Sequence, residues 1–316
     1  METRSIGAQK VSLVGLGCNN FGMRLDEERS AAVVHAALDA GITLFDTADS
    51  YGGTLSEEFL GRALAGRRDE VVIATKFASP LGEPGHGGAS ARWIAEAVEG
   101  SLRRLDTDRI DLYQQHLPDD GVPIDETLGA LNELVVAGKV RQIGNSNFSA
   151  EQIAEADAVA RDHGWARFAS AQNQLSLIST GARHRVLPAC IEHGLAFLPY
   201  FPLASGLLTG KYHRGSPPPA GTRLASLPEE RASQVLSERN FARVDDLATF
   251  ATERDHTLVE LAFAWLAAQP ALASIIAGAT SPEQVATNVA AIDWVLGDDD
   301  LVAIDDLLAS HRERRT

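Results

Sequence analysis

Apolar residues along this chain switch repeatedly between two spacings. Stretches with apolar positions three and four apart alternate with short apolar runs bounded by polar residues, glycine or proline. The first spacing marks one buried face of a helix, the second a strand. The N-terminal stretch predicts a small hairpin running into a first strand near 13–16. Helices are then expected over 27–40, 56–64, 90–105, 124–137, 150–163 and 181–193. Strands are expected between them, over 42–46, 71–76, 110–116, 140–144, 168–172 and 195–200. In the helix at 90–105, Trp93, Ile94, Ala97, Val98 and Leu105 share one face. Gly41 and Gly138 stand where helices should stop. The "SEE" at 56–58 reads as a cap and first turn. From 201 to about 236 the pattern lapses into a long loop with the proline run "GSPPPAG" inside it. Helices over 241–254 and 257–268, a strand over 272–278, and helices over 282–295 and 299–309 complete the chain.

Strict strand–helix alternation implies a parallel sheet, because each helix carries the chain back to the same edge. Eight such units in 316 residues predict a closed (β/α)8 TIM barrel with an N-terminal β-hairpin and extra helices, a single domain over 1–316. The competing architecture is an open doubly wound sheet. That fold would place a third glycine and an immediate helix after the first strand. The segment "GLGCNNFG" supplies Gly15 and Gly17 and neither of those.

Charge narrows the partners. The formal net charge is −15, so nucleic acid and anionic membrane surfaces are not expected. An anionic ligand would need a local cluster of donors working against that field. Two cysteines, Cys18 and Cys190, make no disulfide framework, and no apolar run is long enough for a signal peptide or a membrane span. A cytoplasmic setting and no metal site are expected, and the oligomeric state is left open.

In such a barrel the chemistry lies at the C-terminal ends of the strands. The second barrel strand ends at Asp46, with Tyr51 in the loop after it; the third ends at Lys76 and the fourth at His116. The fifth leads to "GNSNF" at 144–148 and the sixth ends in "QNQ" at 172–174. Singly, each polar residue reads as a turn cap, a solvated strand end or a structural histidine. Together they bring an acid, a phenol, an ammonium and an imidazole to one rim. A free tyrosine has a pKa near 10, roughly three units too high for easy exchange at neutral pH. A neighbouring ammonium, held by an aspartate, is expected to lower it. The set suits protonation of an oxygen that becomes an alkoxide, hence carbonyl reduction with hydride from a cofactor. His35, His163 and His193 fall in helices or at their ends and receive no role.

The chain resembles the aldo-keto reductase family over nearly its whole length. "FDTADSYGG" followed by "SEEFLGRAL" is similar to the family's first signature, "VVIATK" carries its lysine and "DLYQQHLPD" its histidine. "GNSNFS", "YFPLASGLLTGKY" and "GATSPEQVATNVAAI" are similar to its cofactor segments. The resemblance implies a tetrad of Asp46, Tyr51, Lys76 and His116, with Tyr51 as general acid. It implies Ser146, Asn147 and Gln172 around the nicotinamide carboxamide. Tyr200, Phe201, Pro202, Leu203, Ser205 and Gly206, with Lys211, fall around the pyrophosphate. Gly278, Thr280, Gln284 and Asn288 fall at the adenosine end. Cys18, Asn19 and Asp46 would border the cofactor near the first strands.

Two departures stand out. Leu175 occupies the place expected for an aromatic that stacks on the nicotinamide. Gly278 and Gln284 stand where several members carry Lys and Arg for a 2′-phosphate, as in the branch that includes potassium-channel β subunits and many bacterial reductases. The resemblance implies NADPH, with Arg223 or Arg214 as phosphate partners and NADH not excluded. The substrate implied is a small carbonyl compound, an aldehyde or ketone, with a sugar-derived one among the candidates. Oxidation of an aldose by the same residues, and a cofactor-binding regulatory subunit with little turnover, are the alternatives. The channel subunits carry asparagine where this chain has His116, which favours an enzyme.

Overall fold

The computed structural model describes residues 1–79 and 87–313. The end of the chain, "HRERRT" at 311–316, lies outside the described residues from 314 onward. Strands β1 (Thr3–Ile6) and β2 (Gln9–Ser12) form an antiparallel hairpin. Eight parallel strands follow: β3 (Val14–Gly17), β4 (Leu44–Asp46), β5 (Val72–Phe77), β6 (Ile110–Gln115), β7 (Val140–Ser146), β8 (Phe168–Gln174), β9 (Ala196–Tyr200) and β10 (Ile275–Gly278). They close in that order, with β10 pairing β3, so the architecture is the (β/α)8 TIM barrel and not the open sheet.

Helices α1 (Glu27–Asp39), α2 (Leu55–Ala63), α3 (Ala91–Arg104), α4 (Ile124–Val136), α5 (Ala150–His163) and α6 (Gly181–His193) each return the chain to the next strand. Their starts follow local chemistry. Ser90 caps α3 by accepting from the Trp93 amide, and Ser149 forms a reciprocal box with Gln152 at α5. The expected cap at 56–58 is absent. Ser56 lies inside α2, after Thr54 in the left-handed region, and its hydroxyl donates to the Cys18 carbonyl instead.

The long segment after β9 contains a helix that the spacing does not reveal, α7 (Glu229–Val235). Its sequence is EERASQV, and only Ala232 is buried, so no apolar stripe announces it. Then come α8 (Glu238–Thr252), α9 (Leu258–Ala267), α10 (Pro282–Ala290) and α11 (Asp298–Glu313). No helix among the described residues is long and apolar enough to cross a membrane.

Strand alternation sorts the interior. Leu44, Ala74, Leu112, Leu198, Ala273 and Ile276 point inward, and Ile6 and Val11 of the hairpin join them as a plug. Two residues further along the same strands, on the same face, come Asp46, Lys76 and Gln114. A polar layer therefore sits on an apolar one. A second, larger apolar cluster fills the shell between the barrel wall and the helices.

The loop carrying Tyr51 is pressed against the β3–α1 loop. Gly52 has φ +60°, and a Cβ there would lie 2.4 Å from the Phe21 carbonyl oxygen and 2.8 Å from Gly22 Cα. Only glycine meets both demands. Gly52→Ala is expected to cost at least the roughly 1–3 kcal/mol of a strained backbone, read as a lower urea midpoint. An unchanged midpoint would mean that the two loops part freely.

Candidate active site

The order of strand ends brings together groups far apart in sequence. Lys76, fully buried on β5, donates to both oxygens of Asp46 at 2.8 and 2.7 Å and to the Thr47 carbonyl at 2.8 Å. Asp46 Oδ1 also accepts from Gln172 Nε2 at 2.8 Å and Gln114 Nε2 at 3.3 Å. The ammonium is thus ringed by Asp46, the Thr47 carbonyl and, by its electrostatic coupling, Tyr51. Burial pulls the Lys76 pKa down, but Asp46 and Tyr51 outweigh it and the net direction is up. The side chain stays charged.

Tyr51 opens a short 3₁₀ turn after β4, its ring centroid 5.1 Å from the Lys76 nitrogen and 5.7 Å edge-on from the His116 ring. The lowered phenol pKa expected from the ammonium is not found. Burial raises it more than the Lys76 charge lowers it, and Asp46 adds to the rise. Tyr51 therefore holds its proton firmly. His116 is driven down to about 3, by burial first and the Lys76 charge second. Its Nδ1 lies 2.8 Å from the Ser79 hydroxyl. The imidazole is neutral throughout the ordinary pH range.

A cavity of about 840 Å³ runs from this rim along the ends of β9, β10 and β3. Asp46, Tyr51 and His116 line its inner end, with Ser146, Asn147, Gln172 and Tyr200 beside them, and Asn19 lines it next to Gly278. Phe201, Pro202, Leu203, Ser205, Gly206, Lys211 and Arg223 form the wall from the long loop. Gly278, Thr280, Gln284 and Asn288 form the far end. The Asn147 amide is already engaged: it donates to the His116 carbonyl at 2.9 Å and accepts from the Tyr200 hydroxyl at 2.8 Å. Ser146 donates to the Gln172 carbonyl at 2.8 Å. In this state Ser146 and Asn147 brace the rim.

Several expectations are corrected. Cys18 is fully buried in the outer apolar shell and does not line the cavity. Leu175 is buried in the same shell, because the chain turns outward after β8; the ring offered to the cavity is Tyr200 from β9. Arg214 pairs with Glu238 and Asp245 and is not among the cavity residues. Lys76 lies beneath the cavity surface. Among the lining residues that the sequence reading missed is one cation, Arg24 of the β3–α1 loop, which donates to the Gly221 carbonyl. Its place in the loop after a barrel strand was the available signal. The adjoining "DEE" makes it look like part of a solvated charge run.

Arg24, Lys211 and Arg223 share the cavity wall, while Asp46, already bound to Lys76, is the one acid among its described lining residues. Burial lowers the pKa of Lys211 and of Arg223, and the charge of Arg24 lowers both further. Phe201, Ala204, Ser205 and Gly206 all have positive φ, which curls this segment into tight turns in which the Ala204 and Gly206 amides donate to the Phe201 and Leu203 carbonyls. A Cβ on Gly206 would lie 2.7 Å from Lys211 Cε.

Chemistry at the strand ends, beside a cleft of uncompensated positive charge, places the protein among the barrel enzymes. The model of the Aldo/keto reductase family matches residues 13–309, and the chain belongs to that family of oxidoreductases. It is 36% identical to aldo-keto reductase YhdN of Bacillus subtilis over 98% of this chain and 94% of that one. It is 35% identical to a probable voltage-gated potassium channel subunit beta of Oryza sativa subsp. japonica (93% and 92%). The uncharacterized oxidoreductase YrpG of B. subtilis is also 35% identical (94% and 92%).

Lys76→Met should strand the Asp46 carboxylate without its cation, at a cost of about 3–5 kcal/mol. Asp46 can then escape by binding a proton, so urea unfolding should show a larger loss at pH 8 than at pH 5. An equal loss at both would mean that the pair is not what holds the site. The His116 ring resonances should not titrate between pH 8 and 5. The unfolded chain takes up this proton near 6.5 and the folded one only near 3. The stability His116 contributes is therefore present above 6.5 and is lost as pH falls toward 3. A His116 titration near 6.5 would contradict the buried, neutral ring.

Proposed function

We propose that the protein reduces aldehydes or ketones to alcohols with NADPH, and that Tyr51 is the general acid. The observation that carries this reading is a phenol kept protonated by burial, at the inner end of the cavity and above a fixed ammonium–carboxylate pair. The cavity suits the cofactor in charge and shape. Arg24, Lys211 and Arg223 would face its phosphates, the curled segment around Ser205 and Gly206 its pyrophosphate, and Thr280, Gln284 and Asn288 its adenosine end. Tyr200 and Gln172 would meet the nicotinamide. Once bound, the reduced nicotinamide supplies the hydride that no side chain can.

The remaining work falls to this chain's own groups. The Ser79 hydroxyl lies 2.8 Å from His116 Nδ1 and can donate to it; in that tautomer the neutral ring carries its proton on Nε2 and can donate to the carbonyl oxygen without giving that proton up. Tyr51 then passes its proton to the alkoxide, a stronger base than phenolate. Lys76 stabilises the phenolate left behind, and Asp46 keeps Lys76 in place. We place this activity in a single barrel domain acting in the cytoplasm on small carbonyl compounds.

Tyr51→Phe removes only the hydroxyl. Reduction should fall by about two to four orders of magnitude, while NADPH binding, followed by fluorescence, should persist and remain tighter than NADH binding. Near-normal turnover by the variant would refute the role of Tyr51. Equal affinity for the two cofactors would refute the 2′-phosphate assignment. Tight binding with no turnover of any carbonyl by the wild type would favour the subunit reading that the rice relative's name raises.

A further inference from the structure

Behind the Tyr51 loop, outside the barrel wall, lies a second group of buried acids. Asp49 is fully buried, and both its carboxyl oxygens lack a hydrogen-bond partner among the described residues. The Ser50 amide favours the charged form without reaching hydrogen-bond geometry. Glu57, on α2, is also fully buried, but its charge is answered. It accepts from the Thr75 hydroxyl, and Arg104 of α3 approaches its Oε2 to 2.7 Å through both Nε and Nη2. The two nearby cations are therefore committed elsewhere, Arg104 to Glu57 and Lys76 of β5 to Asp46 and the Thr47 carbonyl. From β6, Tyr113 adds a buried hydroxyl that also lacks a partner among the described residues. Asp49 is thus faced by a carboxylate, a phenol and two cations already in use.

We propose that Asp49 sits in the folded protein as a neutral carboxylic acid beside the Arg104-paired Glu57, and positions the Tyr51 loop only while it keeps its proton. A buried carboxylate beside another, with no donor of its own, is too costly to persist when a proton is available. Consistently, the Asp49 pKa is pushed up to about 7, by burial first and the Glu57 charge next, with Arg104, Ser50 and Lys76 pulling the other way. The loop is short and tied at both ends of this acid. Thr47 N–H donates to the Ala74 carbonyl at 2.8 Å, Asp49 N–H to the Lys76 carbonyl at 3.2 Å, and Tyr51 N–H to the Ala48 carbonyl at 3.2 Å. A second charge at Asp49 is relieved by letting water reach it, which moves these ties and with them Tyr51.

The unfolded chain loses the Asp49 proton near pH 4 and the folded chain near 7, so the unfolded state binds fewer protons between those values. The stability contributed by Asp49 is whole below 4 and is lost as pH rises to about 7. In wild-type protein labelled with ¹³C at aspartate, one carboxyl carbon should titrate near 7 and be missing from Asp49→Asn. The melting temperature of Asp49→Asn relative to wild type should climb between pH 5 and 8, and the fall in its reduction rate through pH 7 should vanish. The rate measurement rests on the proposed role of Tyr51, whereas the carbon titration and the melting curves do not, so failure of one reading is distinguishable from failure of the other. If no aspartate titrates near 7, the proposal is overturned, and this holds on wild type alone should Asp49→Asn fail to fold. A titration near 7 with an unchanged rate profile would overturn the hold of Asp49 on the loop.

Discussion

Lys76 has no contact with bulk water, and its ammonium is held by both oxygens of Asp46 and the carbonyl of the next residue, Thr47, with Tyr51 beside it. A buried ion pair of this kind adds little net stability, because desolvation consumes most of its attraction, but it is unforgiving of displacement. Everything around it is arranged to keep the two charges aligned. Gln114 of β6 and Gln172 of β8, the latter from the opposite side of the barrel, also donate to Asp46 Oδ1. The apolar plug below removes any route for water from the hairpin end. In the reaction proposed above, the pair is the fixed base beneath Tyr51 as it holds and surrenders its proton.

The first turn of α2 performs a related task from outside the wall. Ser56 joins the Thr47 hydroxyl to the Cys18 carbonyl, and Glu57 joins Thr75 to Arg104. Thr47 and Thr75 are the chain neighbours of Asp46 and Lys76. One helical turn therefore grips the strand ends that carry both charges. This explains why two polar residues are spent on the buried side of a nine-residue helix, where apolar ones would pack with less risk.

Elsewhere the molecule tolerates charge of the opposite kind. A chain of net charge −15 gathers Arg24, Lys211 and Arg223 on one wall with no carboxylate of their own among the described residues. Such a patch repels itself and attracts anions against the field of the whole chain, which is the electrostatic basis of the cofactor reading proposed above.

Spacing alone determined much of this protein. Alternation of strand and helix periods predicts the closed barrel, and the rule that chemistry sits at strand ends picks out Asp46, Tyr51, Lys76 and His116 without reference to a structure. Whether a side chain reaches the cavity was decided by tertiary structure, because that depends on strand parity and on where the chain turns after the strand. Hence Cys18 and Leu175 face the outer shell, and Tyr200, from the next strand, presents the ring. Protonation was also settled only by packing. Nothing in "FDTADSYGG" says that burial will outweigh an ammonium at Tyr51, or that Asp49 will be left without a donor. Those outcomes depend on neighbours such as Arg104 and Gln172, the latter 126 residues from Asp46 along the chain and 2.8 Å away in space.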